Sequence, residues 1–210
     1  MSVSVASARL TADERRRRIL DAAERCFVRN GFHRSTMNDV AAEAGMSAGN
    51  LYRYFGSKEA IVRGLTERDR ELVIADFESA AGDPDILGAI EAIGRRHLAE
   101  EPREKAVLVL EIWSEATRNP EIFQLCGAID DSVRQHLSAM LDKAQAEGLI
   151  ADGVDVPQAV QMLYTLAEGL LKRRALEPAF DGEAAIGMLS AFMRSVLRPA
   201  SALPRPDNTP

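Results

Sequence analysis

The sequence predicts an all-α fold of about nine helices, with a small N-terminal domain followed by a larger helical one. Capping residues and glycine or proline breaks recur along the chain, and the apolar residues between them repeat at helical intervals. The alternation of apolar and polar residues that marks a half-buried strand is nearly absent. No segment repeats with a fixed period, which argues against a solenoid.

Each of the first four helices is predicted to begin after a side chain that can cap it. These residues are Thr11, Thr36, Ser47 and Ser57. The corresponding helices span about 12–30, 37–44, 48–54 and 58–80. Thr11 and Glu14 have the spacing of a capping box, and Gly31 and Gly45 are suited to end the first two helices.

Five further helices are predicted beyond residue 83, where Asp83 is the predicted cap and Pro84 the first helical residue. Their predicted spans are 84–100, 103–118, 121–147, 157–176 and 182–197. Proline and glycine breaks separate them. Residues 1–11 are predicted to be a flexible arm, and residues 199–210, with four prolines, a disordered tail. The predicted domains are therefore 12–56 and 57–198.

Composition and charge indicate a nucleic-acid surface in the first third of the chain. The 210 residues have a formal net charge of −6 and are 46% hydrophobic, which is enough apolar material for a full core. Residues 1–63 hold 11 Lys and Arg against 7 Asp and Glu, whereas the remainder holds 15 against 25. A basic first third predicts contact with a polyanion. Because no apolar run has membrane-spanning length and no secretory signal is present, we expect a cytoplasmic protein without membrane contact.

The sequence offers no signature of a catalytic or metal site. Cys26 and Cys126 lack the spacing of a zinc site or a disulfide framework, and we expect both to be small buried side chains. His33, His97 and His136 lack metal-ligand spacing, and no HExxH, GxSxG or phosphate-binding glycine loop occurs. We therefore expect no enzyme activity, no cofactor and no metal. A helical adaptor that binds only protein is the competing non-enzymatic function.

Residues 36–55 read as a helix, a tight turn with a glycine and a second helix, which is the architecture of a helix-turn-helix. Leu51 and Phe55, four residues apart, can face a small core. That core would contain Ile19, Ala23, Phe27, Val40 and Ala44. The outward residues are then Ser47, Ala48, Gly49, Asn50, Arg53 and Tyr54. Small side chains allow close approach to a groove, and the Asn50 amide can both donate and accept at a base edge.

Phosphate contacts would fix the position of this helix on DNA. A tyrosine ring can pack on the domain while its hydroxyl reaches a phosphate, and Thr36 and Lys58 lie at helix starts that favour anions. Each of these features alone has a simpler explanation, because a Tyr-x-Tyr pair is commonly a packing feature and an isolated lysine is commonly solvated. Their combination indicates double-stranded DNA as the partner, which the adaptor hypothesis leaves unexplained.

The segment TMNDVAAEAGMSAGNLYRYFGSKEAI, residues 36–61, closely resembles the DNA-binding signature of the TetR family of bacterial transcription regulators. The family pattern reads T-x-x-x-I-A-x-x-A-G-V-S-x-G-x-L-Y-x-[HY]-F-x-[SN]-K-E-x-L. The chain matches it at Thr36, Ala41, Ala44, Gly45, Ser47, Gly49, Leu51, Tyr52, Tyr54, Phe55, Ser57, Lys58 and Glu59, with Val40, Met46 and Ile61 as apolar replacements. Residues 12–63 carry the strong part of the resemblance.

The resemblance implies that the helix over 47–54 enters the major groove. The residues nearest the bases would be Met37, Ser47, Ala48, Gly49 and Asn50, and those on phosphates Thr36, Tyr52, Tyr54 and Lys58. Three of the base-facing side chains cannot make bidentate hydrogen bonds: Met37, Ala48 and Gly49. Base reading would therefore fall to Asn50, Ser47, methyl contacts and DNA shape.

The resemblance also implies a homodimer on a palindromic operator. The last two helices would form its interface through Val160, Leu163, Ala167, Leu170, Leu171, Leu189, Phe192, Met193 and Val196, with Ile186 on the same stripe. These stripes would serve equally well as the protomer's own core.

A small effector would bind among the middle helices and release the DNA. Candidate pocket residues combine apolar bulk with polar groups: His97, Leu110, Glu111, Trp113, Glu115, Phe123, Met140, Met162, Tyr164 and Glu168. For Trp113 a core position, and for Glu168 a solvent or cross-dimer position, are the alternatives. A large apolar pocket would favour a lipophilic effector and an efflux or xenobiotic regulon, with repression as the usual mode. Control of a metabolic pathway is the alternative.

Overall fold

The computed structural model describes residues 11–197, which contain nine α-helices and no strand. The helices are α1 (Ala12–Asn30), α2 (Met37–Glu43), α3 (Ala48–Tyr52), α4 (Lys58–Ala80), α5 (Ile86–Arg95), α6 (Arg103–Ala116), α7 (Pro120–Ala146), α8 (Val156–Leu176) and α9 (Gly182–Leu197). The predicted all-α class is therefore confirmed. The predicted tail, and the predicted arm up to residue 10, lie outside the described residues.

The four predicted N-terminal caps are confirmed. Thr11 and Glu14 complete a capping box, in which the Glu14 carboxylate accepts from the Thr11 N–H at 2.7 Å. Ser47 and Ser57 each accept a hydrogen bond from the backbone N–H three residues ahead. Gly31 and Gly45 have φ values of 82° and 67°, which glycine adopts at little cost, and they follow α1 and α2 as predicted.

The predicted cap of α5 is wrong. Asp85, not Asp83, caps this helix, because its carboxylate accepts from the N–H of Gly88 at 3.0 Å. Asp83 instead accepts from the N–H of Asp85 at 2.8 Å and fixes the turn before the helix. The last part of the segment predicted as helix 84–100 is a π-helical turn, Arg96–Glu100.

Residues 11–67 form one compact unit around a small apolar core. Its large buried side chains include Ile19, Phe27, Val40, Leu51, Phe55 and Ile61. The first turns of α4 pack closely on this core. At Gly64 there is no room for a side chain, because a methyl group there would lie 2.9 Å from Cδ2 of Leu20. The unit consequently ends inside α4, at Glu67, whereas the sequence placed the boundary at the start of that helix. Ala44, predicted as a core residue, is only half-buried.

Residues 68–197 form the second compact unit. Helix α6 packs on α7 and α8, and α9 packs on α5 and α8. The core cluster contains Phe77, Ile86, Ala89, Leu137, Met140, Leu141, Ala144, Ile150, Val156, Val160, Leu163, Met193 and Leu197. Between residues 11 and 197, no helix combines the length and the apolar composition that crossing a membrane requires.

Three residues that the sequence assigned to the dimer interface are instead buried in the core of their own protomer. They are Val160, Leu163 and Met193, and Ile186 on the same stripe is buried too. Ala167, Leu170, Leu171 and Leu189 are half-buried. The apolar side chains that α8 and α9 leave exposed are Met162, Leu166, Leu176, Met188, Phe192 and Val196. Adjacent residues of a helix point about 100° apart. Two neighbouring apolar residues can therefore differ, with one facing the core and the other facing outward.

The π-helical turn is held from two sides. Arg96 donates to Asp76 on α4 at 2.7 Å, and Nε2 of His97 lies 2.8 Å from the second oxygen of the same carboxylate. From the other side, Arg174 on α8 donates to the carbonyl oxygens of Leu98 and Glu101. Helix C-termini leave such carbonyl groups without partners in the helix, and the arginine supplies the missing donors.

Candidate nucleic-acid interface

Helix α3 presents a polar and aromatic surface because two apolar side chains anchor it. Leu51 and Phe55 are 0% and 2% exposed, and they fix which side of the segment faces the core. Ser47, Gly49, Tyr52 and Arg53 are exposed, and Ala48, Asn50 and Tyr54 are half-buried. A tyrosine with half of its surface in solvent, as Tyr52 has, stabilises the protomer little and is available to a partner.

Two ion pairs attach α2 to α1. Glu43 accepts from Arg25 at 3.0 Å and from Arg29 at 2.9 Å. These hydrogen bonds, first from Arg25 and then from Arg29, lower the pKa of the Glu43 carboxyl. Two of the basic residues of this domain are therefore engaged within it, where they hold the end of α2 on α1.

Thr36 lies at the start of α2, as predicted, but its polar groups are already engaged. Its hydroxyl donates to the Asp39 carboxylate at 2.7 Å, and its N–H donates to the same oxygen at 2.8 Å. The hydroxyl hydrogen bond and then the backbone one lower the pKa of Asp39. A phosphate at this position would have to compete with a carboxylate, and Met37, the next residue, is half-buried.

The half-buried Lys58, predicted to bind a phosphate, makes hydrogen bonds within its own domain. It donates to the carbonyl oxygens of Phe32 at 2.7 Å, Ser35 at 3.2 Å and His33 at 3.4 Å. It also lies 4.3 Å from the centre of the Phe32 ring. Because a lysine has three N–H donors, this side chain is fully used in holding the loop between α1 and α2.

The run of four arginines in α1 divides by helical face. Arg15 donates to the Tyr54 hydroxyl at 3.5 Å, and the Arg16 guanidinium lies 4.4 Å from the centre of the Phe55 ring. Arg17 and Arg18 are exposed. The sequence carries a signal for this division, because Arg15 precedes Ile19 by four residues and so extends the buried stripe of α1.

The predicted effector-pocket residues do not all lie where a shared pocket would need them. Phe123 and Met162 are 65% and 50% exposed on the surface of the protomer, and Met140 belongs to the core cluster. His97 is paired with Asp76. The four candidates on α6 are half-buried: Leu110, Glu111, Trp113 and Glu115. Met162 lines an open surface groove of about 400 Å³ on α8 instead of an interior cavity.

Two of the candidates, Tyr164 and Glu168, lie in a charged cluster between α7 and α8. The Tyr164 hydroxyl donates to Asp130 at 2.6 Å, and the Arg134 guanidinium is 5.0 Å from the centre of the Tyr164 ring. Burial raises the pKa of Tyr164, and its hydrogen bond to Asp130 raises it further. The pKa of the Glu168 carboxyl is also raised, first by burial and then by the Asp130 charge, although Arg134 opposes the change.

Comparisons with known proteins cover both units of the chain. A family model described as bacterial regulatory proteins of the tetR family matches residues 19–65. A second, described as the C-terminal part of BetI-type transcriptional repressors, matches residues 89–198. The chain is 30% identical over 161 residues to the HTH-type transcriptional regulator UidR of Escherichia coli strain K12, with 76% of this chain and 81% of UidR covered.

Solved structures agree with these sequence relationships. Salmonella enterica GusR superimposes with a TM-score of 0.75 at 28% identity, over 90% of this chain and 98% of GusR. The regulator FadR of Bacillus subtilis, solved in complex with stearoyl-CoA, has a TM-score of 0.76 at 22% identity, over 87% of this chain and 99% of FadR. The helix-turn-helix geometry, the two family models and the relatives named as transcriptional regulators agree. The chain belongs to the TetR family of bacterial transcription regulators.

Proposed function

We propose that the protein is a cytoplasmic repressor that binds a palindromic operator as a homodimer and leaves it when a small effector binds. The observation that carries this proposal is the surface of α3 and its flanks, where Leu51 and Phe55 are buried while Ser47, Tyr52 and Arg53 are exposed. A helix of this kind can lie in a major groove, because it brings hydrogen-bonding side chains to the base edges.

Within this proposal, Met37, Ser47, Ala48, Gly49 and Asn50 lie nearest the bases, and hydrogen bonds to base edges fall to Ser47 and Asn50. The Asn50 side-chain amide makes no hydrogen bond with the part of the chain that the structure describes, so its donor and acceptor are available to a base edge. Tyr52, Arg53 and Tyr54 are assigned to phosphates. At Thr36 the N-terminus of α2 is assigned to the phosphate, because the hydroxyl is bonded to Asp39. Lys58 is assigned a supporting role, because it holds the loop before α2.

Dimerisation is assigned to the outer side of α8 and α9. Met162, Leu166, Met188, Phe192 and Val196 expose apolar surface on two helices that pack on each other. A second copy of the chain would cover this surface by two-fold symmetry, since the same patch on both subunits is self-complementary. Two recognition helices about 34–36 Å apart would then enter successive major grooves of a palindromic site.

The effector is assigned to the larger unit, and its chemistry is assigned to the lipophilic class. The sequence favoured an efflux or xenobiotic regulon, with a metabolic pathway as the alternative. The stearoyl-CoA bound by the Bacillus subtilis regulator supports the metabolic alternative, because an acyl-CoA is a metabolite, and its long acyl chain also fits the lipophilic class. Release requires that the effector prefer the state that does not bind DNA, and a 100-fold preference corresponds to about 2.7 kcal/mol.

The DNA-binding part of the proposal is tested by titrating the protein into labelled duplexes from the regions upstream of its own gene and of the neighbouring genes. We expect one of these duplexes to bind far more tightly than a mixed-sequence duplex, with an affinity that falls steeply with salt. Asn50→Ala should remove most of this preference while the weaker binding to mixed-sequence DNA persists. Equal affinity for all duplexes would contradict the proposal.

The effector is tested on the protein–operator complex with two compound series. One series contains acyl-CoA esters of increasing chain length, and the other contains lipophilic cationic drugs. Release of the operator by the first series supports metabolic control, and release by the second supports the efflux assignment. Release by neither series at saturating concentration would rule out a lipophilic effector of either kind.

A further inference from the structure

We propose that Arg15 of α1 and Tyr54, two residues beyond α3, form one binding site for a single DNA phosphate. The inference rests on the proposed function and adds to the DNA-binding surface a residue outside the helix-turn-helix. It assigns a ligand-binding role to the first turns of α1, which the resemblance to the TetR signature leaves without one.

The geometry of the pair leaves donors from both side chains available to one ligand. Nη1 of Arg15 lies 3.5 Å from the Tyr54 hydroxyl oxygen, which accepts the hydrogen bond. A hydroxyl that accepts from a guanidinium directs its own proton elsewhere, and within residues 11–197 no acceptor lies at hydrogen-bonding distance from the Tyr54 hydroxyl. The guanidinium has five N–H donors, and the same part of the chain provides no further partner for them.

These donors select a negatively charged ligand with several acceptor oxygens. A guanidinium fork and a phenol proton side by side match a phosphate diester, which offers two anionic oxygens to planar donors. The carboxylate of Glu14, the preceding residue, caps α1 by accepting the N–H of Thr11 at 2.7 Å and makes no ion pair with Arg15. The pair therefore keeps its positive charge beside the proposed phosphate-facing residues Tyr52 and Arg53.

The position of the pair is fixed before any ligand arrives. Arg16 lies 4.4 Å from the centre of the Phe55 ring, and Phe55 is buried, so adjacent residues of both segments are held together. Arg15 and Tyr54 are each half-buried, unlike the exposed Arg17 and Arg18. Side chains that are already ordered lose less conformational entropy on binding, which strengthens their contribution to affinity.

The test compares Arg15→Gln with Arg17→Gln, which removes the same charge from the opposite side of the same helix. Affinity is measured by fluorescence anisotropy over a range of salt concentrations, on the operator duplex and on a mixed-sequence duplex at low salt. We expect Arg15→Gln to weaken both complexes at least tenfold. It should also reduce the slope of log K against log salt by nearly 2 for a dimer, at about 0.9 for each lost phosphate contact. Arg17→Gln should leave the slope close to that of the wild type.

A double-mutant cycle tests whether one phosphate is shared. If Arg15 and Tyr54 bind the same phosphate, the combined Arg15→Gln and Tyr54→Phe variant loses less affinity than the product of the two single losses. Multiplicative losses would mean separate sites and would overturn the proposal. An unchanged salt slope in Arg15→Gln would also overturn it.

The wild type and Arg17→Gln separate this inference from the proposed function. If neither binds an operator, the proposed function fails. If both bind and Arg15→Gln binds equally well, only the shared phosphate site fails. Arg15→Lys is a second variant, for use if Arg15→Gln does not fold. It keeps the positive charge but loses the paired N–H donors of the guanidinium, so we expect its affinity to lie between those of Arg15→Gln and the wild type.

Discussion

The ammonium of Lys58 donates a 2.7 Å hydrogen bond to the carbonyl oxygen of Phe32 and lies 4.3 Å from the centre of that residue's ring. With two more carbonyl contacts, at His33 and Ser35, the first residue of α4 closes the loop that leads into α2. This loop ends at Thr36, the N-cap of α2. Lys58 therefore holds the loop that leads into α2 against the first turn of α4.

We predict that Lys58→Met weakens operator binding roughly fivefold, or about 1 kcal/mol, without a change in its salt dependence. The methionine keeps the apolar stem on Phe32 but leaves three carbonyl groups without their charged donor, so the loop should open more often. Anisotropy titrations at several salt concentrations measure both quantities, and hydrogen exchange should show faster exchange for the amides of residues 31–36. A salt slope reduced by nearly 2 for the dimer would instead mean that Lys58 binds a phosphate.

Substitution of Phe192 by glutamate should separate the dimer. Phe192 is 39% exposed in the apolar surface of α9, and two-fold symmetry would place two of the new carboxylates near each other. We expect the dimer dissociation constant to rise at least 100-fold, by about 2.7 kcal/mol, in sedimentation equilibrium.

Phe123→Glu is the matched control for this experiment. It introduces the same charge at an aromatic residue on α7 that is 65% exposed and outside the proposed interface. A monomeric Phe123→Glu protein beside a dimeric Phe192→Glu protein would move the interface to α7.

Local sequence was sufficient for the helix-turn-helix, because its determinants are close in sequence. The caps at Thr36 and Ser47 and the buried pair Leu51 and Phe55 follow from spacing alone. Where two residues could serve equally well, spacing did not decide, as with Asp83 and Asp85 before α5.

Tertiary neighbours decide what local sequence leaves open. Lys58 and Arg15 have long side chains whose partners are 26 and 39 residues away, so their directions depend on packing. Packing also decides which apolar residues of α8 and α9 are buried. Met162 and Leu163 are neighbours and both are apolar, but only Leu163 is buried.

Removal of the charge of Glu168 should stabilise the protein at neutral pH. Burial and the Asp130 charge raise the pKa of this carboxyl in the folded state, so folding takes up protons and stability falls as pH rises from the unfolded pKa through the folded one. Above that window the ionised group costs stability, and Glu168→Gln avoids the cost. We expect Tm to rise by roughly 1–3 °C at pH 7.5, a size that corresponds to less than about 1 kcal/mol in a chain of this length.

The pH dependence distinguishes this cause from a general effect of lost charge. The difference in Tm between Glu168→Gln and the wild type should nearly disappear at about pH 4, below the ordinary pKa of a glutamate, where most of the carboxyl is protonated in both states. Glu78→Gln, at an exposed position on α4, should change Tm little at either pH. An equal gain in Glu78→Gln would show that net charge, and not the surroundings of Glu168, causes the stabilisation.

The strongest effect on stability that we predict outside the apolar core is at Arg174. Its guanidinium supplies donors to the carbonyl oxygens of Leu98 and Glu101 at the end of the π-helical turn, and Pro102, which follows, has no N–H of its own. Arg174→Met keeps the apolar stem but leaves both carbonyl groups without this donor, which should destabilise the protein by about 2 kcal/mol.

Arg173→Met provides a control one residue away. Arg173 is exposed and pairs with Glu177, four residues later. Water screens this ion pair, so its loss should leave the free energy of unfolding nearly unchanged. Urea unfolding of the two variants measures the difference directly. If both variants unfold at the wild-type urea concentration, the π-helical turn is stable without its contact to α8, and its attachment to Asp76 through Arg96 and His97 must be sufficient to hold it.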